Sequence, residues 1–318
     1  MKISLLEPIG VSEEIIEEYA KKIRAQGHEF QYFDKKTTDV EELKKRSKGS
    51  NIIMIANNPY PKEVIEEATE LKMISVAFTG IDHIGTAACK EREIMICNAA
   101  GYSDQTVAEL VIGMAVTALR KLKESDKLVR SGGTNQGIGG YEISGKTIGI
   151  IGLGHIGMKT AQLFQAFGAN VIAYNHSQSE EAKKNGIEYK TLEEVLEKSD
   201  IISLHLPLNE QTKGFIDREC IQKMKKSAVF INCARGPIVD NMALADALNR
   251  DELAYACIDV YDMEPPIPEN YPLLHTKNTF LTPHQAFISE ESMIRRAEIV
   301  FRNVFRYLDG CPENVCKL

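Results

Sequence analysis

Long apolar runs are missing from this sequence. No stretch of about 18 consecutive apolar residues occurs, which excludes a membrane-spanning helix on length. The opening MKISLLEPIGVSEE holds too short an apolar run for a secretory leader and reads as a strand and a turn. Positive charge is scarce: 38 Lys and Arg against 45 Asp and Glu leave a net charge of −7. That balance lacks the basic footprint by which nucleic acids and anionic membranes are bound. Clustered metal ligands are lacking as well. The seven cysteines, at 89, 97, 220, 233, 257, 311 and 316, contain no CxxC pair, and HExxH does not occur, so no metal is expected. An odd set of scattered cysteines without a leader points to free thiols in a reducing cytoplasm. A small anionic partner stays open, because it needs one local cation and not a basic protein.

What is present is an ordinary globular composition, 43% hydrophobic and 26% charged, over 318 residues, enough for two domains. Residues 3–6, 29–33, 52–55 and 74–78 read as strands, with helices predicted over 40–47 and 62–70 between them. Before the first of these, Ser12 offers an N-cap oxygen, Glu13 and Glu14 suit a helix start, and Gly27 can close the helix. A long apolar helix is predicted over Ser103–Leu122, then a glycine-rich loop over Ser131–Gly145. A second alternating stretch has strands at 147–151, 170–174, 201–206, 229–232, 256–260 and 280–282. Thr191 and Glu194 form a capping box, and 289–308 is an amphipathic helix. Alternation of this kind implies an α/β fold with parallel sheets covered on both faces.

Residues 147–157 read TIGIIGLGHIG, placing Gly152, Gly154 and Gly157 as G-x-G-x-x-G between a strand and a helix. The first glycine permits the tight turn, the second lets a pyrophosphate approach the backbone, and the third lets helix and strand pack closely. The helix start then offers N–H groups to phosphates. In this context the pattern is a dinucleotide fingerprint. The following strand ends at Asn175, eighteen positions beyond Gly157, where an Asp or Glu normally binds the ribose and repels a 2′-phosphate. Asn175 can bond a ribose hydroxyl but has no charge, and His176 and Ser177 can donate to a phosphate. NADP(H) is therefore expected to be tolerated or preferred beside NAD(H).

Arg235, Glu264 and His284 each follow a predicted strand, the end of a parallel sheet where ligands gather. Arginine grips a carboxylate through two hydrogen bonds. Histidine can protonate a carbonyl oxygen as hydride arrives, and an adjacent carboxylate would stabilise its cation. Singly, each residue is more often an ion pair, a loop residue or a structural histidine.

As an ordered set they resemble the D-isomer-specific 2-hydroxyacid dehydrogenases, close to the glyoxylate and hydroxypyruvate reductases. The resemblance runs from Asn98 to about Gln285. It rests on the glycine fingerprint, Leu206-Pro207, Asn232-Cys-Ala-Arg-Gly236 with Val239-Asp240, Asp259-Val260 with Glu264-Pro265, and Pro283-His284, with a looser match at Thr79–His83. It implies two Rossmann-like or flavodoxin-like parallel-sheet domains with a cleft between them that closes on binding. Residues 1–100 and 287–318 would form a discontinuous, flavodoxin-like substrate-binding domain, and 101–286 the NAD(P)-binding Rossmann domain. It further implies that Arg235 binds the substrate carboxylate and carbonyl, that His284 is the acid-base and that Glu264 is its partner. Asn57, Gly80 and Ile81 would line the substrate. His155, Ile156, Asn175, Leu206, Pro207, Thr212, Cys233, Ala234, Arg235 and Asp259 would contact the cofactor, Asp259 near the carboxamide. A homodimer through the cofactor domain, on the 103–122 helix, is expected.

The sequence departs from the family in three places. Asn175 replaces the usual acid, Gln-Ala-Phe follows His284 where two glycines are common, and, with the sequence ending at 318, no regulatory extension is expected. The loop Asn57-Asn-Pro-Tyr60 also lacks an arginine, with Lys62 the nearest cation in sequence. This disfavours a phosphorylated substrate and favours glyoxylate, hydroxypyruvate, pyruvate or a somewhat larger 2-oxo acid. Two other readings compete. A non-catalytic, NAD(H)-sensing protein of the co-repressor type shares the fold, and formate oxidation belongs to relatives that carry Gln where Glu264 stands.

Overall fold

The computed structural model describes residues 1–318. Strands and helices run β1 (Lys2–Leu5), α1 (Glu13–Ala25), β2 (Glu29–Tyr32), α2 (Val40–Ser47), β3 (Ile52–Ile55), α3 (Lys62–Glu67), β4 (Met73–Val76), α4 (Thr86–Glu91), β5 (Met95–Cys97), α5 (Asp104–Arg120) and α6 (Leu122–Arg130). They continue through β6 (Thr147–Ile151), α7 (His155–Ala166), β7 (Asn170–Tyr174), α8 (Glu180–Lys184), β8 (Glu188–Tyr189), α9 (Leu192–Lys198), β9 (Ile201–Leu204), α10 (Arg218–Gln222), β10 (Val229–Asn232), α11 (Asn241–Asn249), β11 (Tyr255–Ile258), β12 (Thr279–Leu281) and α12 (Glu290–Leu308). No helix is long and apolar enough to cross a membrane.

The chain divides into two units, residues 1–103 with 288–318, and residues 104–287. Residues 101–103 thus group with the first unit and Phe287 with the second. The first holds a five-stranded parallel sheet in the order β2-β1-β3-β4-β5. All four residues of β3 and of β4 are buried, as expected for parallel strands covered on both faces. From α12, Ala297, Val300, Phe301 and Val304 join Ile3, Leu5, Ile23 and Phe30 in one core. Tyr19 and Phe301 stack with ring centroids 4.3 Å apart. Beyond α12, Val315 bridges Cys97 and the Cys316 N–H bonds the Ile96 carbonyl at 2.8 Å. That tail covers the outer edge of β5, which would otherwise present unpaired backbone groups.

The second unit holds a seven-stranded parallel sheet in the order β12-β11-β10-β9-β6-β7-β8. Helix α5 buries Val107, Val111, Met114, Ala115, Ala118 and Leu119 on it. The capping box of α9 forms as the sequence indicates, with Thr191 and Glu194 bonding each other's backbone N–H. Ser12 behaves differently. It holds the N-cap place of α1 without capping a backbone N–H, and its hydroxyl instead bonds Glu14, keeping that carboxyl below its ordinary range.

The helix expected to reach Leu122 stops at Arg120. Lys121 turns left-handed, with φ +51°, and α6 starts afresh at Leu122. The Leu119 carbonyl accepts from the Tyr141 N–H of the glycine-rich loop at 3.0 Å, so that loop docks where α5 ends. Strands also end earlier than the apolar pattern. Ala77 and Phe78 lie past β4 yet are buried, because hydrophobicity marks burial and not the hydrogen-bond ladder.

Candidate active site

Strand order reverses in the second sheet between β6 and β9, since the chain steps out through β7 and β8 before returning to β9. The glycine turn leaves β6 at that point. Gly152 has φ +94°, and a Cβ there would meet the His205 carbonyl at 2.6 Å. At Gly157 a Cβ would lie 2.1 Å from the Gly152 carbonyl, which forces glycine where α7 crosses the turn. At Gly154 nothing lies within 4 Å. That open space, beside the free N–H groups that begin α7, fits a pyrophosphate.

Asn175 is turned onto this loop. Its Oδ1 accepts the Leu153 N–H at 3.1 Å and its Nδ2 donates to the Ser177 carbonyl at 2.7 Å. Its amide therefore ties the end of β7 to the glycine turn, whereas the sequence suggested a ribose contact alone. His176 and Ser177 are exposed. The His155 side chain is 87% exposed and lies 3.7 Å from Asp104, while Ile156 packs into the core. Across the reversal, Leu206 and Ala234 are partly buried in the core and Pro207 is exposed. Thr212 donates to the Pro207 carbonyl at 2.6 Å, closing its own loop. The Cys233 thiol turns away to Met114 Sδ at 3.5 Å, and burial pushes it well above the ordinary thiol value, so its side chain belongs to the packing on α5.

Arg235, Glu264 and His284 follow β10, β11 and β12, three neighbouring strands. Their loops are tied to one another. A Cβ on Gly236 would fall 1.9 Å from the Tyr261 carbonyl, so only glycine lets the Arg235 turn lie against the next loop. Asn241 Nδ2 donates to both the Gly236 carbonyl and Asp262 Oδ1, at 3.2 and 2.8 Å. Asn232 accepts the Ala234 N–H and donates to the Arg235 carbonyl, each at 3.0 Å.

The third loop hangs on Asp259. Its carboxylate accepts from the Thr282 hydroxyl and from the Gln285 and Ala286 N–H groups at 2.9 Å, and its carbonyl accepts the His284 N–H at 2.8 Å. Asp259 is fully buried. Besides the carboxamide contact that the resemblance implies for it, Asp259 thus secures the His284 turn. Tyr261 adds a hydrogen bond to the Thr282 carbonyl at 2.9 Å. These ties hold His284 at φ +54°, a left-handed conformation uncommon outside glycine.

The His284 Nδ1 lies 2.9 and 2.8 Å from the two Glu264 carboxylate oxygens, and its ring meets Phe287 edge to face at a centroid distance of 5.4 Å. The imidazole is 12% exposed and Glu264 61%. With Nδ1 directed at both oxygens of a carboxylate, that nitrogen is the donor of the pair and the ring orientation is set by its partner. Asp259, Thr282, Tyr261 and Asn241 escaped the sequence reading as supporting residues. Their signal was adjacency to the three motifs, but their partners lie on other strands. Asn57, Gly80 and Ile81 lie in the first unit, past the ends of β3 and β4.

Comparison with known proteins points one way. The family model described as D-isomer specific 2-hydroxyacid dehydrogenase, NAD binding domain, matches residues 112–286. A glyoxylate reductase of Thermofilum pendens is 35% identical over 278 residues, covering 85% of this chain and 82% of its own. A hydroxypyruvate reductase of Blautia hydrogenotrophica is 32% identical, covering 93% and 94%. Among solved structures, an acyclic imino acid reductase in complex with NADPH and D-Arg is 30% identical and superposes over 100% of both chains with a TM-score of 0.90.

Proposed function

The chain belongs to the D-isomer-specific 2-hydroxyacid dehydrogenase family, and from that membership we propose that it uses NAD(P)H to reduce a small 2-oxo acid reversibly to the D-2-hydroxy acid. The observation that carries the reading is the His284 imidazole held at Nδ1 by both oxygens of Glu264. Held at the glycine turn of the 104–287 unit, a nicotinamide cofactor would supply the hydride. His284 gives the Nε2 proton to the carbonyl oxygen in reduction and recovers it in oxidation. Glu264 stabilises the imidazolium that donates. Arg235 binds the carboxylate through two N–H groups, joined by the Gly80 and Ile81 backbone and by Asn57.

The 104–287 unit is assigned to the cofactor, with Gly152, Gly154 and Gly157 at the pyrophosphate and Asn175, His176 and Ser177 at the adenosine ribose. The first unit is assigned to the substrate. No carboxylate stands at 175, so NADPH is expected to serve as well as NADH. The sequence places the homodimer contact on the 103–122 helix, but that helix ends at Arg120 and buries Val107, Val111, Met114, Ala115 and Ala118 in its own core. The second copy is therefore assigned to the cofactor unit around α6, which leaves Leu122 and Val129 exposed.

The test is a spectrophotometric screen of NADH and NADPH oxidation against glyoxylate, hydroxypyruvate, pyruvate, 2-oxobutyrate, phenylpyruvate and oxaloacetate, with chiral analysis of the product. D-product formation is expected with both cofactors. Cofactor binding without turnover on any of these acids would overturn the reading, and a kcat/KM strongly favouring NADH would overturn the assignment at Asn175.

A further inference from the structure

Strand order in the five-stranded sheet also reverses, here between β1 and β3, because the chain steps to β2 on one side before crossing to β3. Ligands of parallel sheets gather outside the carboxyl ends at such a reversal. Side chains from the ends of three adjacent strands meet there. Glu7, just past β1, is fully buried. Its Oε1 accepts the Ala56 and Asn58 N–H groups at 2.9 and 3.0 Å. Its Oε2 is buried without a hydrogen-bond partner, and Lys36 Nζ stands 3.7 Å from it.

Lys36 follows β2 and reaches over to donate to Asn57 Oδ1 at 2.8 Å. The frame around it is braced. Arg46, itself buried, donates to the Leu6 and Lys35 carbonyls, and Asn58 Nδ2 donates to the Thr37 carbonyl at 3.1 Å. An ammonium has three N–H groups. Asn57 and Glu7 take two directions, and the side chain is still 56% exposed.

We propose that Lys36 is a specificity-determining residue whose third N–H binds an uncharged oxygen on carbon 3 of the substrate, so that 3-hydroxy-2-oxo acids are preferred. This rests on the function proposed above, in which Gly80 and Ile81 past β4 receive the carboxylate. β4 is the neighbour of β3, and adjacent strands lie about 4.8 Å apart. The ammonium at Asn57 therefore stands about one strand spacing from the carboxylate position. A hydroxyl on carbon 3 is three bonds from the carboxylate carbon and falls in that interval. Glu7 accounts for the preference for a neutral group. It balances the ammonium, so a second carboxylate or a phosphate would meet a buried negative charge behind the cation. Burial pushes the Glu7 carboxyl above its ordinary range, while the Asn58 N–H and Lys36 draw it back.

The test compares the unaltered enzyme with Lys36→Met, which keeps the stem length and removes the donor, on glyoxylate, pyruvate, hydroxypyruvate and oxaloacetate. For hydroxypyruvate, KM is expected to rise about 10- to 100-fold with kcat nearly unchanged, the effect of losing a hydrogen bond from a charged donor. For glyoxylate and pyruvate, which offer no oxygen on carbon 3, KM should move less than about 2-fold. Lys36→Arg should recover part of the hydroxypyruvate KM. Equal shifts on all substrates, no shift on hydroxypyruvate, or a preference of the unaltered enzyme for oxaloacetate would each overturn the proposal. If the unaltered chain reduces none of the four, the proposed function fails with it. If glyoxylate is reduced and Lys36→Met is indifferent, the assignment of Lys36 alone fails.

Discussion

Two carboxylates on one loop divide the work around His284. Glu264 faces the ring at Nδ1, and Asp259, which ends the same strand's carboxyl side, holds the backbone of the turn through Gln285 and Ala286. Removing the ring and removing the charge beside it should therefore differ in degree. His284→Gln is expected to lower kcat by about 10²–10⁴-fold, the usual worth of a positioned acid-base. Glu264→Gln keeps a hydrogen-bond acceptor and loses only the charge assistance, so a loss of about tenfold is expected. Steady-state kinetics on glyoxylate check both, and an undiminished kcat in His284→Gln would remove the residue from the chemistry. Arg235, Glu264 and His284 stood out in the sequence only as an ordered set, each on a loop that follows a strand. Asp259 was legible as a residue but not in its role. Nothing in the spacing of 259 and 282–286 says that a buried carboxylate will collect hydrogen bonds from the neighbouring loop.

At the level of the element, the glycine turn separates packing from binding. Gly157→Ala would place a methyl 2.1 Å from the Gly152 carbonyl, so a lower Tm and weaker cofactor binding are both expected. Gly154→Ala meets no atom within 4 Å and keeps an ordinary φ of −80°. It should leave Tm unchanged and still weaken NADH binding, by about tenfold if the methyl takes the space of a phosphate oxygen. Calorimetry with a Kd titration reads the two effects apart, and a Gly154→Ala enzyme that binds NADH normally would place the pyrophosphate elsewhere.

His205 sits against this same turn, its Nε2 2.9 Å from Ser203 Oγ, and burial pushes its imidazole down to about 4. Below about pH 6.5 the unfolded chain takes up a proton that the folded chain refuses. Stability should therefore fall as pH drops from about 6.5 to 4, by up to about 3 kcal/mol, and level off below. Denaturant titrations at pH 7 and 4.5 should show a smaller loss in His205→Gln, and an equal loss would relieve His205 of this part. The long elements were legible because periodicity needs length. Thr86–Glu91 and Met95–Cys97 were missed, being six and three residues long, and α6 was missed because the break at Lys121 is set by the docked loop at Tyr141.

For the molecule as a whole, the surface of the second unit carries a shallow cleft lined by Val116, Leu119, Tyr141, Ile143 and Phe167, with Tyr141 68% and Phe167 50% exposed. The proposed second copy would cover this cleft along with α6. Light scattering at micromolar concentration is expected to give about twice the 35.5 kDa of one chain. Val129→Glu with Phe167→Glu should shift the mass toward one chain, and a single-chain mass for the unaltered protein would refute the dimer. Both parallel sheets could be foreseen from alternation alone. The strand orders could not, because each depends on which edge the crossover chooses.

The first unit closes only when α12 lays Phe301 and Val304 against Ile3 and Phe30. On the ribosome those partners are born far apart. The N-terminal strands emerge early, while the helix that completes their core ends at Leu308. At about 5–20 residues per second the wait after residue 103 is roughly 10–40 s, during which residues 104–287 leave the tunnel as one uninterrupted stretch. The second unit can thus be finished while the first is still a nascent chain with an open hydrophobic face. Released chains truncated after residue 287 and challenged with protease should lose residues 1–103 faster than 104–287. Newly made chains of this protein are therefore most exposed to chaperones at their oldest end.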